Sequence, residues 1–318
     1  MSIFFRRAPE SQFAGSPAYL ASIQQTFQKD RLSGLIEVQA GPDQQVVLLF
    51  DSGARVRAYR LAAGTCTLLT PEEITADWET RDAPIRTMNL PGTAVWAAWL
   101  ALEFHPPASR EVQEGRQISG YLNDCRAEGR CGVLHFGAAE GDGLMVLWDG
   151  EPVRSDTVFA AADGIVGTLP ITRLLQENST APWEITFYAA RPEAVAYQRL
   201  LLRTGVSTWS RMAFEQYQDL VGQRMLLNLI NNINAASQSQ QWNIRLDMNG
   251  LVDHHIFLKA DTYHLAYQAL LRATVEQIGL VIGGLLSQRV LGDAYAQLPE
   301  NQRAVLQHQS LTPASLAR

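Results

Sequence analysis

The sequence predicts an α+β protein: two tandem small antiparallel β/helix modules, followed by a mainly helical domain with one β-hairpin. Three observations predict this class. A pattern of apolar residues and glycines occurs twice before residue 190, wide helical stripes of apolar residues follow residue 195, and Asn249-Gly250 separates two alternating segments. The chain of 318 residues also exceeds the roughly 100–200 residues of one domain. The expected domains are 1–107, 108–195 and 196–318.

The repeat is visible when Leu20 is aligned with Ile118. The following positions then coincide: Ile23 with Tyr121, Phe27 with Cys125, Gly34 with Gly132, and Val46 to Asp51 with Leu144 to Asp149. The first positions have the i, i+3, i+7 spacing of one helix face. The apolar runs after each glycine predict strands separated by tight turns. Each copy is therefore predicted as helix, strand, strand and strand, with a one-residue gap after the second strand.

The two copies differ after their third strands, which are predicted at 54–59 and 152–157. In the second copy, 169–175 has helical spacing and Trp183 to Tyr188 alternates as a strand would. The first copy instead continues into an apolar helix over 92–102. Trp96 and Trp99 lie three residues apart on that helix, and we expect them in a core or at an interface.

Both copies resemble the DUF4388 (PATAN-type) family of small α+β modules. The resemblance is carried by Ser33 to Val38 with Val46 to Arg57, and by Cys131 to Phe136 with Leu144 to Arg154. The sequence departs from the family where Arg57-Ala58 replaces a common His-Ala. The family occurs in bacterial signalling proteins, so the resemblance implies a non-catalytic adaptor. Its partner would be a protein such as a response regulator or a small Ras-like GTPase system.

The C-terminal third predicts long helices around a hairpin. One helix is expected over 212–233, a second over 261–291 and a final one over 299–309. The hairpin is expected over 242–258 and centred on Asn249-Gly250, so that Met248 pairs with Leu251 and Arg245 with His254.

Three glycines lie close together in the second of these helices. Gly279, Gly283 and Gly284 leave a shallow groove where another helix backbone can approach. Each glycine costs about 0.5–1 kcal/mol in a helix relative to alanine, so a packing reason is expected. Internal packing and a homodimer interface both remain open.

The hairpin also carries the one motif that suggests chemistry. Asp253-His254-His255 matches the Asp-His-His of the DHH phosphoesterases, and Arg245 is expected nearby. The alternative function is therefore a metal-dependent phosphoesterase or a small-ligand-binding protein. Adjacent histidines on a strand point to opposite faces, however, and the sequence has no Asp-x-Asp motif. Ordinary sheet or pocket residues are the preferred interpretation, with no catalytic residue, metal ligand or cofactor assigned.

Composition indicates a cytoplasmic protein that does not bind nucleic acid. The net charge is −6 and the pI is about 5.6, which disfavours neutralisation of phosphates. The longest apolar run, 278–286, is far shorter than the ~20 residues of a membrane span. The N-terminus lacks the apolar core of a secretory signal. Cys66, Cys125 and Cys131 show no CxxC spacing and are expected to be reduced thiols.

Overall fold

The computed structural model describes residues 4–5, 10–74, 82–139, 141–153, 156–161, 166–170, 180–239, 244–248, 250–253 and 263–316. Contacts divide the chain into two compact units, Met1–Tyr197 and Gln198–Arg318. The first unit contains two antiparallel sheets and the second is mainly helical, so the α+β class is confirmed. Among the helices that the structure describes, none has both the length and the hydropathy needed to cross a bilayer.

The first sheet has six strands in the order β1-β6-β2-β3-β4-β5. Its elements, in chain order, are β1 (Glu10–Gly15), α1 (Pro17–Lys29), β2 (Gly34–Gly41), β3 (Gln44–Asp51), β4 (Ala54–Ala62), β5 (Thr65–Leu68) and β6 (Ala83–Asn89). Helix α1 begins at Pro17, where proline is well tolerated, and Ser16 caps it. Its buried Leu20 and Phe27 pack on one face of the sheet, as the spacing in the sequence predicts.

The second sheet has the same strand order. Its elements are β7 (Ser109–Glu114), α3 (Ile118–Ala127), β8 (Gly132–Ala138), β9 (Gly141–Trp148), β10 (Glu151–Pro152), β11 (Asp156–Ala161), β12 (Val166–Pro170) and β13 (Pro182–Ala189). The order β7-β13-β8-β9-β11-β12 matches the first sheet strand for strand, with the short β10 added beside β9. The helix predicted over 169–175 is wrong at its first two residues, which end β12; 171–175 lie outside the described residues.

The pairing of the strands shows where the one-residue gap in the alignment of the two copies lies. Gly34 pairs with Phe50, whereas Gly132 pairs with Leu147. The one-residue gap therefore lies before the second strand, and the prediction that it follows that strand is wrong. The reason is a register shift between Gln39 and Gly41, which accommodates the additional residue of the first copy. In the corrected alignment, Asp51 corresponds to Trp148.

Helix α2 (Gly92–Glu103) packs between the two sheets. It contacts β2 and β3 of the first sheet and β8 and β9 of the second. Every residue from Ala94 to Leu102 is buried. Because α1 and α3 cover the opposite sheet faces, the unit is a stack of five layers: helix, sheet, helix, sheet, helix. The apolar sequence of α2 follows from this position, since a helix that is apolar on all sides needs cover on all sides.

Two equivalent glycines allow the central strands to pair closely. A Cβ atom at Gly34 would lie 1.9 Å from the Met88 carbonyl oxygen, and one at Gly132 would lie 2.1 Å from the Tyr188 carbonyl oxygen. Real Cβ atoms do not approach carbonyl oxygens so closely. The glycines that identify the repeat in the sequence are therefore required by strand pairing.

The second unit contains six helices and one hairpin in its described residues, the first helix beginning just before the unit does. These elements are α4 (Val195–Val221), α5 (Gln223–Ser239), β14 (Ile244–Asp247), β15 (Gly250–Asp253), α6 (Tyr263–Ile282), α7 (Gly284–Ala296), α8 (Glu300–His308) and α9 (Pro313–Leu316). In its core, the indole of Trp209 donates a hydrogen bond of 3.0 Å to the Leu291 carbonyl. The helix predicted over 299–309 is confirmed as α8, but it is not the final helix, because the short α9 follows it.

Two of the predicted long helices are interrupted by glycines. The helix predicted over 212–233 is divided between α4 and α5 at Gly222, and the helix predicted over 261–291 is divided between α6 and α7 at Gly283. Both glycines have positive φ angles, 86° and 83°. A left-handed residue ends an α-helix, and glycine adopts this conformation without steric cost. The single long helices were therefore wrong.

We predict that Gly132→Ala destabilises the first unit by about 2–4 kcal/mol, because its methyl group would collide with the β13 backbone. Gly120→Ala is the matched control. Gly120 lies in α3 with open space at its Cβ position, so alanine there should stabilise by about 0.5–1 kcal/mol. Urea denaturation measures the free energy of unfolding of both variants. Equal effects of the two substitutions would contradict the close strand pairing.

Candidate functional site

The structure describes part of the predicted site, and the register of the hairpin differs from the one that the sequence suggested. Arg245 is exposed and pairs with Val252, and Ile244 pairs with Asp253. The predicted pairing of Arg245 with His254 is therefore wrong by two positions. Arg245 and Asp253 occupy successive ladder positions, and His254 and His255 lie outside the described residues.

Contacts with neighbouring helices explain the observed register. The side chain of Asn234 on α5 accepts a hydrogen bond from the Leu246 amide at 2.8 Å and donates one to the Leu246 carbonyl at 2.9 Å. Leu246 pairs with Leu251, whose amide donates to Ser207 Oγ on α4 at 3.1 Å. These tertiary contacts hold Gly250 within the strand. The turn preference of Asn249-Gly250, by itself, would shift the ladder by two residues.

Trp96 and Trp99 lie inside the first unit. They are 2% and 1% exposed, and their rings meet edge to face at 5.6 Å. The Trp96 indole donates a hydrogen bond to Asp51 Oδ2 at 3.0 Å. Asp51 also accepts from Ser33 Oγ at 3.1 Å, so it links α2 to the end of β3. The interface that these tryptophans form is the internal one between the two sheets, and a partner molecule cannot reach them.

Gly279, Gly283 and Gly284 surround the break between α6 and α7. A Cβ atom at Gly279 would meet only ordinary contacts, the nearest at 3.9 Å from Ser287 Cβ, and one at Gly283 or Gly284 would meet nothing within 4 Å. Internal packing therefore does not require glycine at 279 or 284. Gly283 is explained by its positive φ angle.

The same helix break exposes four large apolar side chains. Leu280 is 78% exposed and Leu285 is 88% exposed, and Val281 and Leu286 are exposed by 45% and 37%. We call residues 279–286 the α6–α7 corner. Exposed apolar patches of this kind mark contact surfaces in many proteins.

A buried ionic cluster joins the two sheets beside α2. Arg86 on β6 forms an ion pair of 3.3 Å with Glu37 on β2, and His135 on β8 hydrogen-bonds with Asp142 on β9 at 3.2 Å. Strand alternation places all four side chains on the sheet faces turned toward α2. Burial lowers the pKa of Arg86, and the charge of Asp142 opposes that effect. Arg86 therefore interacts with carboxylates of both modules.

The N-terminal residues Phe4 and Phe5 close this ionic cluster. Both side chains are buried. The Phe4 ring meets His135 edge to face at 5.5 Å, and the Phe5 carbonyl accepts a hydrogen bond of 3.1 Å from Arg86. His135 and Asp142 are thus covered by protein on every described side and have side-chain exposures of 7% and 4%. The arrangement is suited to holding the two modules together, and a substrate cannot reach it.

One edge of the first sheet forms an exposed aromatic surface. Strand β1 is the last strand in its sheet, and among the described strands it pairs only with β6. Its Phe13 lies against Tyr19 of α1 with ring centroids 5.7 Å apart, and the two side chains are 38% and 40% exposed. We call β1 together with Tyr19 the β1 edge.

The described residues hold no group of three or more His, Cys, Asp and Glu side chains placed to bind one metal ion. Comparisons of the chain with known protein families, with curated protein sequences and with solved structures find no match.

Sequence reasoning missed the ionic cluster and the two exposed surfaces. Glu37 and Arg86 are far apart in the chain, and each lies in an alternating segment that resembles a strand with one solvated face. The signal that could have identified the cluster is the repeat itself. Two sheets that share an apolar helix must cover each other's inner faces, so charges on those faces need partners.

We predict that Arg86→Ala destabilises the first unit by about 3–5 kcal/mol, because it leaves the Glu37 carboxylate buried without its ion pair. The double variant Glu37→Leu/Arg86→Met should recover most of that loss. Arg126→Ala is the control, since it removes an exposed ion pair with Glu151 and should cost less than about 1 kcal/mol. Urea denaturation followed by circular dichroism measures the free energy of unfolding of all three variants. Equal losses for Arg86→Ala and Arg126→Ala would contradict the stabilising role of the buried ionic cluster.

Proposed function

We propose that the protein is a non-catalytic signalling adaptor that binds a partner protein through its first module, at the β1 edge. The observation that carries this proposal is the difference between two equivalent strands. Strand β1 carries a single charged residue, Glu10 at its start, whereas β7, at the same place in the second sheet, carries Arg110, Glu111 and Glu114. Charged side chains protect an edge strand from pairing with other chains. The edge of the first module therefore has less of this protection than the edge of the second.

The geometry of the β1 edge supports binding of an extended segment. A partner strand that adds to a sheet edge gains main-chain hydrogen bonds, and neighbouring side chains select its sequence. Phe13 and Tyr19 supply such side chains. Gly15 allows their arrangement, because a Cβ atom there would lie 2.4 Å from Tyr19 Cδ1. The occupant that fits is an uncharged extended segment with an aromatic or aliphatic side chain for this pair.

The resemblance to DUF4388 modules supports the class of partner. It implies a response regulator or a small Ras-like GTPase system, and our proposal places the contact with such a partner at the β1 edge. The phosphoesterase alternative depends on Asp253-His254-His255, and the described residues supply no geometry in its favour.

We predict that Phe13→Lys weakens partner binding at least about tenfold, because it places a charge on the edge strand and removes half of the aromatic pair. Val112→Lys is the matched control. Val112 is 72% exposed on the equivalent edge strand β7, so its replacement should leave binding and stability unchanged.

The measurement has two stages. The full chain, carrying a photo-crosslinking residue at position 13 or 112, is first used to capture and identify partner proteins from the host. Binding of the purified partner to the wild type and to both lysine variants is then measured by calorimetry. Equal binding by Phe13→Lys and Val112→Lys, or crosslinking at 112 alone, would contradict the proposal.

A further inference from the structure

We propose that the α6–α7 corner is a homodimer interface in which two copies cross at Gly283 and Gly284. This inference goes beyond the proposed function and does not depend on the β1 edge. The corner is apolar throughout its exposed surface, from Leu280 to Leu286. Contiguous exposed apolar surfaces mark sites of contact with other proteins or with membranes.

The glycines indicate what kind of surface covers the corner. Gly284 lies at the start of α7, has no positive φ angle and faces open space at its Cβ position. Neither the backbone conformation nor internal packing thus explains the absence of a side chain. Small residues at helix contacts allow two backbones to approach closely. A second helix crossing at Gly284 would use the open space.

The charges around the corner favour a second copy as the occupant. No charged residue lies between Glu276 and Arg289, and these two lie at nearly equal distances in sequence on either side of Gly283. In a two-fold symmetric contact, residue i of one copy meets residue j of the other and the reverse. Glu276 of each copy would then meet Arg289 of the other. A membrane surface, by contrast, would favour a basic rim.

Both charged side chains are available for such a contact. Glu276 is exposed. Arg289 is 77% exposed, and its ion pair with Asp293 in the same helix is long, at 3.6 Å. The intramolecular pair is weak at this exposure, so Arg289 can turn to the glutamate of a second copy. The leucines 280 and 285 would fill the centre of the contact and the ion pairs its rim.

The first experiment measures the oligomeric state of the full chain by sedimentation at increasing concentrations. We expect the wild type to be a dimer and Leu280→Glu/Leu285→Glu to be a monomer with an unchanged circular dichroism spectrum. Leu265→Glu is the matched control, since Leu265 is a 51% exposed leucine near the other end of α6, and it should remain dimeric.

Four further variants keep the test valid if the double glutamate variant fails to fold. Gly284→Ala should raise the thermal stability of the isolated chain, because alanine favours the helix, yet weaken dimerisation about tenfold by filling the space for the second backbone. Glu276→Arg and Arg289→Glu should each weaken the dimer, and their combination should restore it.

The outcomes separate the proposal from other occupants of the corner. A wild type that stays monomeric at high micromolar concentration overturns the dimer. So does a dimer that Leu280→Glu/Leu285→Glu leaves intact, or a charge reversal that is not rescued by its counterpart. Monomeric wild type that floats with phosphatidylcholine vesicles would assign the corner to lipid instead. Loss of dimerisation with intact binding of the partner to the β1 edge would support this inference and leave the proposed function standing.

Discussion

The first unit depends on the burial of α2 on both of its flanks. Helices in small α+β domains usually keep a polar side for solvent, and α2 has none between Ala94 and Leu102. One sheet can cover only one flank, so each module alone would expose the other flank to water. The second sheet removes that surface from solvent. Hydrophobic burial of one shared helix is therefore the reason that the two copies of the repeat form a single unit.

This shared helix constrains the inner faces of both sheets. Residues on those faces must be apolar or must pair with a polar partner, because the burial of an unpaired charge costs several kcal/mol. Leu35 and Val133 satisfy the first condition. The ionic cluster of Glu37, Arg86, His135 and Asp142 satisfies the second, and Phe4 seals it. The outer faces are buried separately, since each packs on its own short helix, α1 or α3.

The two copies retain one scaffold and differ in how it is anchored. In the first copy Ser33 Oγ accepts a hydrogen bond from the Ser52 amide at 2.8 Å, and in the second Cys131 Sγ accepts one from the Asp149 amide at 3.3 Å. Next to this shared turn, Asp51 accepts the Trp96 indole, while Trp148 stacks on Tyr197 at 5.3 Å. The first copy thus has a polar contact at the position where the second copy has an aromatic one. The edge strands of the two sheets also differ, because the shared helix places no constraint on them.

Much of the fold could be predicted from the sequence, because the local spacing of apolar residues indicates many of its helices and strands. The helix spacing of Leu20 and Phe27 and the helix at 300–308 are of this kind. Gly222 and Gly283 were missed as helix breaks because the apolar stripe continues on both sides of each, so only the positive φ angles reveal them. The hairpin register depends on Asn234 and Ser207, which come from two separate helices. The candidate surfaces were beyond prediction for a related reason, since exposure of Phe13 or Leu285 depends on which faces the tertiary structure leaves uncovered.

Hydrogen exchange of the full chain tests the central role of α2 most directly. If the two sheets and α2 form one cooperative unit, amide hydrogens in α2, in the central strands β2 and β3, and in β8 and β9 should exchange through one common opening. Their protection should then fall in parallel when urea is added. The contrary result would be exchange of β8 and β9 at low urea while α2 and the first sheet stay protected. That pattern would show that α2 belongs to one module and that the second sheet does not contribute to its burial.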